Sequence, residues 1–364
     1  MSVHLPKSNL FKPTKVGNVT LKHRIIYAPA GKFRCADDCK PTDSMLEYYL
    51  KIAENNGGLL TSEAATPSLE AGLLPHAPMI KTQNRSVERA HLLVVKSLHR
   101  VELPIRLSKN HLINLFFFAP SALYVNEATK PAAKNSGYPL KEMAKEGIQF
   151  TTNDSVKGAK SCIDAELINV AVQLKNKARS VLKIIDSFIQ AIGAFKLALR
   201  QSPYATSEGA KDRSAEINPI VTTGYMLSKM ERRARQGKRL AYLSMTEPRV
   251  DGDKNADVVG TKTYFSWLTL IWNGTITKAG ECFNGNRHET LQKIVNGDDR
   301  TLIGISRYFT SNPDLVNRLK NSCPVTPCDR STFFTNDNKR HLNFSKFGDG
   351  EDHSGDYVQP TALV

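Results

Sequence analysis

Acidic side chains, cysteines and long apolar runs are all scarce in this chain of 364 residues. Its six cysteines (Cys35, Cys39, Cys162, Cys282, Cys323, Cys328) are too scattered for a disulfide scaffold, which favours a reducing, cytoplasmic setting. Cys35 and Cys39 are close in sequence but have no matching His or Cys nearby, so no metal site is expected. The longest apolar stretch, residues 112–122, is broken by Asn114 and Pro120 and reads as buried strand and loop, so no membrane association is expected. The opening MSVHLPKSNLF lacks the apolar centre of a secretory signal.

Carboxylates are outnumbered, 35 Asp and Glu against 50 Lys and Arg, a formal net charge of +15. That excess attracts phosphorylated ligands or nucleic acid. The basic residues are nevertheless spread out, and the dense run ERRARQGKR (231–239) reads as a solvated helix C-terminus, where cations suit the dipole. Nucleic acid is not an expected partner, because no cluster mixes aromatic and basic side chains.

What is present is a repeating alternation. KVGNVTLK (15–22) reads as a hairpin about Gly17-Asn18. Apolar runs of strand length follow at 25–29, 59–64, 103–107, 165–169, 196–201, 240–245, 275–279 and 301–306. Between them lie helical patterns at 44–57, with Ser44 and Glu47 spaced as a capping box, and at 86–99, 174–193, 220–235, 264–272 and 286–296. Residues 108–139 read as irregular, and 251–262 as a polar loop. Eight short strands alternating with helices argue for an α/β fold, a (β/α)8 TIM barrel spanning residues 1–338. An open doubly wound sheet is disfavoured, since APAGKF stands where a glycine fingerprint would follow the first strand. Residues 339–364 are polar and read as a mobile tail.

TLIGISRYFTSNPDLVNRL (301–319) reads as strand, turn and helix, with Asn312 as N-cap, Pro313 at the first helical position and Asp314 as a first-turn acid. Arg307 falls where the strand ends, next to a helix start, a favourable place for a phosphate dianion. Gly280, at the end of the preceding strand, would let backbone approach a ligand.

LFKPTKVGNVTLKHRI (10–25), TSEAATPSLEAG (61–72), ALRQSPYA (198–205), ERRARQGKRLAYL (231–243), EPRV (247–250), IWNGTITKAG (271–280) and DRTLIGISRYFTSNPDLVNRL (299–319) together resemble the old yellow enzymes of yeasts. Those are FMN-dependent NADPH dehydrogenases or ene-reductases. The resemblance runs along nearly the whole chain and is weakest from about 100 to 175. It implies a barrel with FMN at the strand mouths, NADPH as reductant and a small-molecule electron acceptor (an enone, a quinone or oxygen), with a homodimer as candidate assembly. By the same resemblance, Arg200 would lie against the flavin's N1 and O2 edge, and Gly280 and Arg307 would hold its phosphate. Pro29 and Ala30 would supply backbone contacts, and Ala64 would fill a small-residue position.

The departures from that pattern are chemical. Gly31 replaces a flavin-bonding threonine, and Arg106 replaces a glutamine at the pyrimidine edge, where it can donate but not accept. Glu281 and Ser306 replace an asparagine and a glycine near the phosphate. On the substrate side, the pair that binds the acceptor's carbonyl reads Asn169 and Val172, of which Val172 donates nothing. The loop that brings the proton-donating tyrosine after strand four is shortened to almost nothing, and a second substrate-facing tyrosine reads Phe334. The implied outcome is an FMN-dependent NAD(P)H oxidoreductase with impaired alkene reduction, or else a catalytically inactive relative with a binding or vestigial role.

Overall fold

The computed structural model describes residues 5–56, 58–64, 76–78, 113–116, 124–125, 141–142, 170–203, 219–246, 250–251, 254–255, 266–280, 283, 288–350, 353–356 and 358–363. Its strands in chain order are β1 (Thr14–Val16), β2 (Val19–Leu21), β3 (Ile25–Tyr27), β4 (Leu59–Leu60), β5 (Ile113–Phe116), β6 (Tyr124–Val125), β7 (Lys141–Glu142), β8 (Leu197–Gln201), β9 (Tyr242–Thr246), β10 (Val250–Asp251), β11 (Lys254–Asn255), β12 (Ile276–Ala279) and β13 (Thr301–Ile305). The α-helices are α1 (Asp43–Asn56), α2 (Val170–Ile192), α3 (Pro219–Arg235), α4 (Ser266–Ile271), α5 (His288–Gly297), α6 (Arg307–Ser311) and α7 (Leu315–Asn321). The chain divides into two compact units, one of residues 1–69, 73–111 and 277–364, the other of 70–72 and 112–276.

In the first unit the strand order is β4, β3, β13, β12. β3 pairs in parallel with both neighbours, Ile25 to Tyr27 facing Ile303 to Ile305 on one side and Tyr27 facing Leu60 on the other. Thr301–Ile305 is buried at every position, which is why it reads as a continuous apolar run and not as an alternation. Helices α1 and α7 pack on this sheet, with Tyr49, Ile52, Ile303, Phe309, Leu315 and Leu319 in one core. The hairpin β1–β2 turns at Gly17, whose φ is 57°, as its Gly-Asn pair requires.

In the second unit β5, β8 and β9 are successive parallel neighbours, Phe116 facing Arg200 and Arg200 facing Ser244. β5 corrects the irregular reading of 108–139: Ile113–Phe116 pairs alongside β8, so its apolar run is spent on a sheet. β10 and β11 form a short antiparallel pair at residues read as polar loop. The amphipathic helix α2 sets Ile185 and Ala178 against α3 and the sheet, with Leu227, Leu243 and Trp272 in the same core.

Three local readings change. Helix α1 begins at Asp43, before Ser44; Ser44 is buried, and the Thr42 hydroxyl accepts from the Met45 N–H at 3.4 Å in its place. Asn312, Pro313 and Asp314 do not start a helix directly after β13, because α6 intervenes and α7 starts at Leu315. Asn312 is instead a buried hub: its amide donates to the Tyr308 and Thr326 carbonyls and its oxygen accepts from Thr326 N and Arg318. The basic run at 231–239 does end α3, yet Arg233 forms a two-pronged pair with Asp186 and Arg239 another with buried Glu231. The strands read at 103–107 and 165–169 and the helix at 86–99 lie outside the described residues.

Residues 339–363, read as a polar tail, carry buried side chains at His341, Asn343 and Phe344 where described. Thr361 N donates to the Asp43 carboxylate, Lys51 Nζ to the Leu342 carbonyl, and Arg318 Nη2 to the Ser345 carbonyl. Arg318 also bonds Asp314 at 2.7 Å, with both side chains buried. Removing one partner of such a pair strands the other charge, so Arg318→Ala should cost about 3–5 kcal/mol in urea unfolding. A loss under about 1 kcal/mol would mean the pair contributes no more than a surface one.

Candidate functional site

Residues 28–31, 61–64, Gly280, and Ser306 with Arg307 follow the ends of β3, β4, β12 and β13. Ladder bonds fix this edge, since Ala28 N donates to the Ile305 carbonyl at 2.9 Å and Thr61 N to the Tyr27 carbonyl at 3.1 Å. Gly304 allows the strands to approach: a Cβ there would stand 3.0 Å from Ala279 Cβ, 3.1 Å from Thr277 Cγ2 and 3.2 Å from Ala28 Cβ. Gly280 leaves β12 with φ of 115°, a backbone that L-residues rarely adopt. The first unit thus gathers Pro29, Ala30, Gly31, Ala64, Gly280 and Arg307 at neighbouring strand ends, half-buried except for exposed Ala64. Arg307 is the first residue of α6.

Beneath that edge lies a charged network that the sequence reading overlooked. Lys32, Arg34 and Glu63 are all buried, at 2%, 1% and 4% exposure. Lys32 Nζ donates to Thr310 Oγ1 at 2.7 Å and stands 4.6 Å from the Phe333 ring centre. Thr310 in turn shares a hydrogen bond with the Tyr48 hydroxyl, and Tyr48 with Tyr27. Arg34 donates to the carbonyls of Lys32, Thr332, Phe333 and Asp337, tying residues 332–337 to the loop after β3. The charges followed no motif spacing; the available signal was a carboxylate, Glu63, inside the apolar run read at 59–64, and the alternation of Lys32 and Arg34 just after the run at 25–29.

The electrostatics of this region suit an anion. Burial, then the charge of Arg34, pulls Lys32 down to about 7 against the attraction of Glu63, with Arg307 adding to the repulsion. Burial pushes the Cys328 thiol up, while Arg307, Lys32 and Arg330 pull it down. Burial raises the Glu63 carboxyl against the Lys32 and Phe33 N–H groups and the Lys32 charge. At this edge the backbone of Gly280, with its positive φ, and the side chain of Arg307, at the start of α6, are the groups that could meet an anion. A hydroxyl donor at residue 31 is missing, and a Cβ there would stand 3.2 Å from the Phe33 ring.

The remaining predicted residues fall elsewhere. Arg200 is in β8 of the second unit, its guanidinium pulled down to about 10 by burial, with Tyr242 opposing. Val172 lies in the first turn of α2, which starts at Val170, so chain continues as helix where a loop after strand four would run. Phe334, 49% exposed, stands 5.4 Å from Phe33 between ring centres. Arg106, Asn169 and Glu281 lie outside the described residues. Among the described residues, no group of three or more His, Cys, Asp or Glu could hold a metal ion.

Comparison with known proteins decides what this edge belongs to. The model of the NADH:flavin oxidoreductase / NADH oxidase family matches residues 9–173 and 171–325. A probable NADPH dehydrogenase of Candida albicans is 31% identical over 373 residues, covering 91% of this chain and 89% of the relative. The chain belongs to the old yellow enzyme family. Enoate reductase 1 of Kluyveromyces lactis is 27% identical, covering 94% of this chain and 95% of its own. The crystal structure of Old Yellow Enzyme from a Pichia species superimposes with a TM-score of 0.76 at 36% identity, covering 99% of this chain and 100% of that one. The fold of this old yellow enzyme relative is therefore the (β/α)8 barrel.

Between about pH 7 and the ordinary lysine value of about 10.4, the unfolded chain binds the Lys32 proton and the folded chain does not, so stability rises with pH across that window. Lys32→Met removes the effect. The variant's unfolding free energy minus that of the wild type should fall as pH is raised from 7 to 10 in urea denaturation; a difference independent of pH would contradict a buried lysine held low.

Proposed function

We propose that this chain is an FMN-dependent NADPH oxidoreductase that passes electrons to a quinone or oxygen and reduces activated alkenes poorly. The observation that carries the first half is the gathering of Gly280 and Arg307 with Pro29, Ala30 and Gly31 at adjoining strand ends, over a cationic interior. FMN, when bound, supplies the carrier that takes a hydride from NADPH and delivers reducing equivalents to the acceptor. Gly280 N–H and the Arg307 guanidinium would hold its phosphate, and the backbone of Pro29 and Ala30 would face the ring system. Arg200 would place its charge where the reduced ring is anionic, and burial strengthens such a charge by excluding water.

The second half rests on the acceptor side. The family match breaks into two stretches that meet at residues 171–173, where α2 is already helical, which supports the reading that the tyrosine-bearing loop is shortened. Val172 cannot donate a hydrogen bond to a substrate carbonyl, and Phe334 has no hydroxyl. General acid catalysis contributes about 100- to 10,000-fold, so alkene reduction loses on that order, whereas electron transfer to a quinone or oxygen needs no such donor. Small molecules are the partners, a homodimer the assembly and the cytoplasm the setting; no described helix is long and apolar enough to cross a membrane. Val172 and Gly31 also favour a second reading, a barrel that binds ligand without turnover.

Purified protein should carry a visible flavin band that NADPH bleaches without air, and that returns faster with oxygen or a quinone than with cyclohexenone. Protein still colourless after FMN is added refutes the proposal, and bound flavin that NADPH never bleaches favours the second reading. Arg307→Ala should weaken FMN binding by about tenfold or more, the worth of one charged hydrogen bond. Unchanged affinity would show that the phosphate is held elsewhere.

A further inference from the structure

We infer that Glu63 is a positioning residue for the flavin, clamping the loop after β3 to the loop after β4 and so fixing where the backbone of Pro29, Ala30 and Gly31 stands. The inference rests on the flavin reading above. Glu63 Oε2 accepts the N–H of Lys32 at 2.9 Å and of Phe33 at 3.3 Å, the two residues that follow Gly31 in sequence. Its other oxygen accepts the Tyr49 hydroxyl at 3.2 Å, and that hydroxyl accepts the N–H of Glu63 at 2.9 Å, closing the ring of bonds. Tyr49 is a firm anchor: it belongs to α1, is 1% exposed, and meets Tyr48 and Tyr27 edge-on at 5.4 and 6.2 Å.

Three features point beyond a merely structural role. A buried carboxylate is expensive to maintain unless several donors satisfy it, and here two of those donors, the Lys32 and Phe33 N–H groups, directly follow the segment proposed to line the flavin. Phe33 sits at φ of 53°, a conformation uncommon for a bulky residue, and its N–H is one of the two held by Glu63. In that conformation the Phe33 ring stands 3.2 Å from where a Cβ of residue 31 would be, filling the space of the missing side chain. Ala64, at a flavin position, directly follows Glu63 in sequence. Freed from the carboxylate, Phe33 can return to an ordinary backbone conformation and take its ring away from Gly31.

The test compares Glu63→Ala, Glu63→Gln and Tyr49→Phe by FMN titration, by the absorption maximum of the bound flavin and by thermal melting without FMN. Glu63→Ala should weaken FMN binding by about tenfold or more and shift the flavin band, because the loop loses its two backbone anchors. Glu63→Gln keeps an oxygen for both N–H groups, so it should restore affinity to within about threefold of wild type and restore the band. If Glu63→Ala does not fold, Tyr49→Phe decides, with a band shift and weaker binding expected. A folded Glu63→Ala, or failing that Tyr49→Phe, with wild-type affinity and an unshifted band overturns the clamp alone. Wild-type protein that binds no FMN overturns the flavin reading and the clamp together.

Discussion

The parallel pairing of β3 with β13 on one side and β4 on the other is the constraint on which the first unit depends. It joins residues 25–27 to residues 303–305, from opposite ends of the chain, in one register. In parallel strands the register also decides which loops share an edge, because every strand leaves the sheet in the same direction. The strand ends that lead to Pro29, Ala64 and Arg307 are therefore neighbours through backbone hydrogen bonds. Gly304 makes the pairing possible on the β12 side, since side-chain atoms of Ala279, Thr277 and Ala28 already fill the space that a Cβ would take.

Beneath this edge the chain buries three charges that do not cancel as simple pairs. Lys32 is met by a hydroxyl and two aromatic faces, Arg34 by four carbonyls, and Glu63 by two N–H groups and a phenol. Arg34 and Glu63 are spent on backbone that must otherwise stay solvated, so the loops at the strand ends are fixed where loops are ordinarily mobile. The resulting surface is cationic as well as rigid. Both properties favour an anionic ligand, because less conformational freedom remains to be lost when it binds.

Much of this was legible in the sequence. The strands at 197–201, 242–246, 276–279 and 301–305 and the helices 219–235 and 288–297 fall within a few residues of their apolar patterns, because burial on both faces leaves an unmistakable run. Ile113–Phe116 lies in a run that reads as buried strand and loop, but it was not counted among the eight strands, since its pairing with β8 is a long-range choice that local composition does not encode. Asn312 reads as a cap by residue type, yet tertiary bonds to Thr326 and Arg318 claim its side chain. The site divides likewise: Gly280 and Arg307 were singled out from their strand ends, whereas Glu63, inside the run read at 59–64, and Lys32 drew no notice until the fold buried them.

In the function proposed above, the acceptor side lacks donors at Val172 and Phe334 while Gly280 and Arg307 still offer a phosphate a bare backbone and a cation, and the two sides demand different things of the fold. Holding a dianion needs a bare backbone position and a cation at two strand ends, which the sheet supplies directly. By the resemblance, protonating a substrate takes a tyrosine from a loop after the fourth strand, and here the chain is already helical at Val170. The most direct measurement is a crystal structure of the protein after FMN is added, inspected at the phosphate. The account predicts the phosphate against Gly280 and Arg307, whereas a phosphate bound anywhere else, or no flavin in crystals grown with excess FMN, would contradict it.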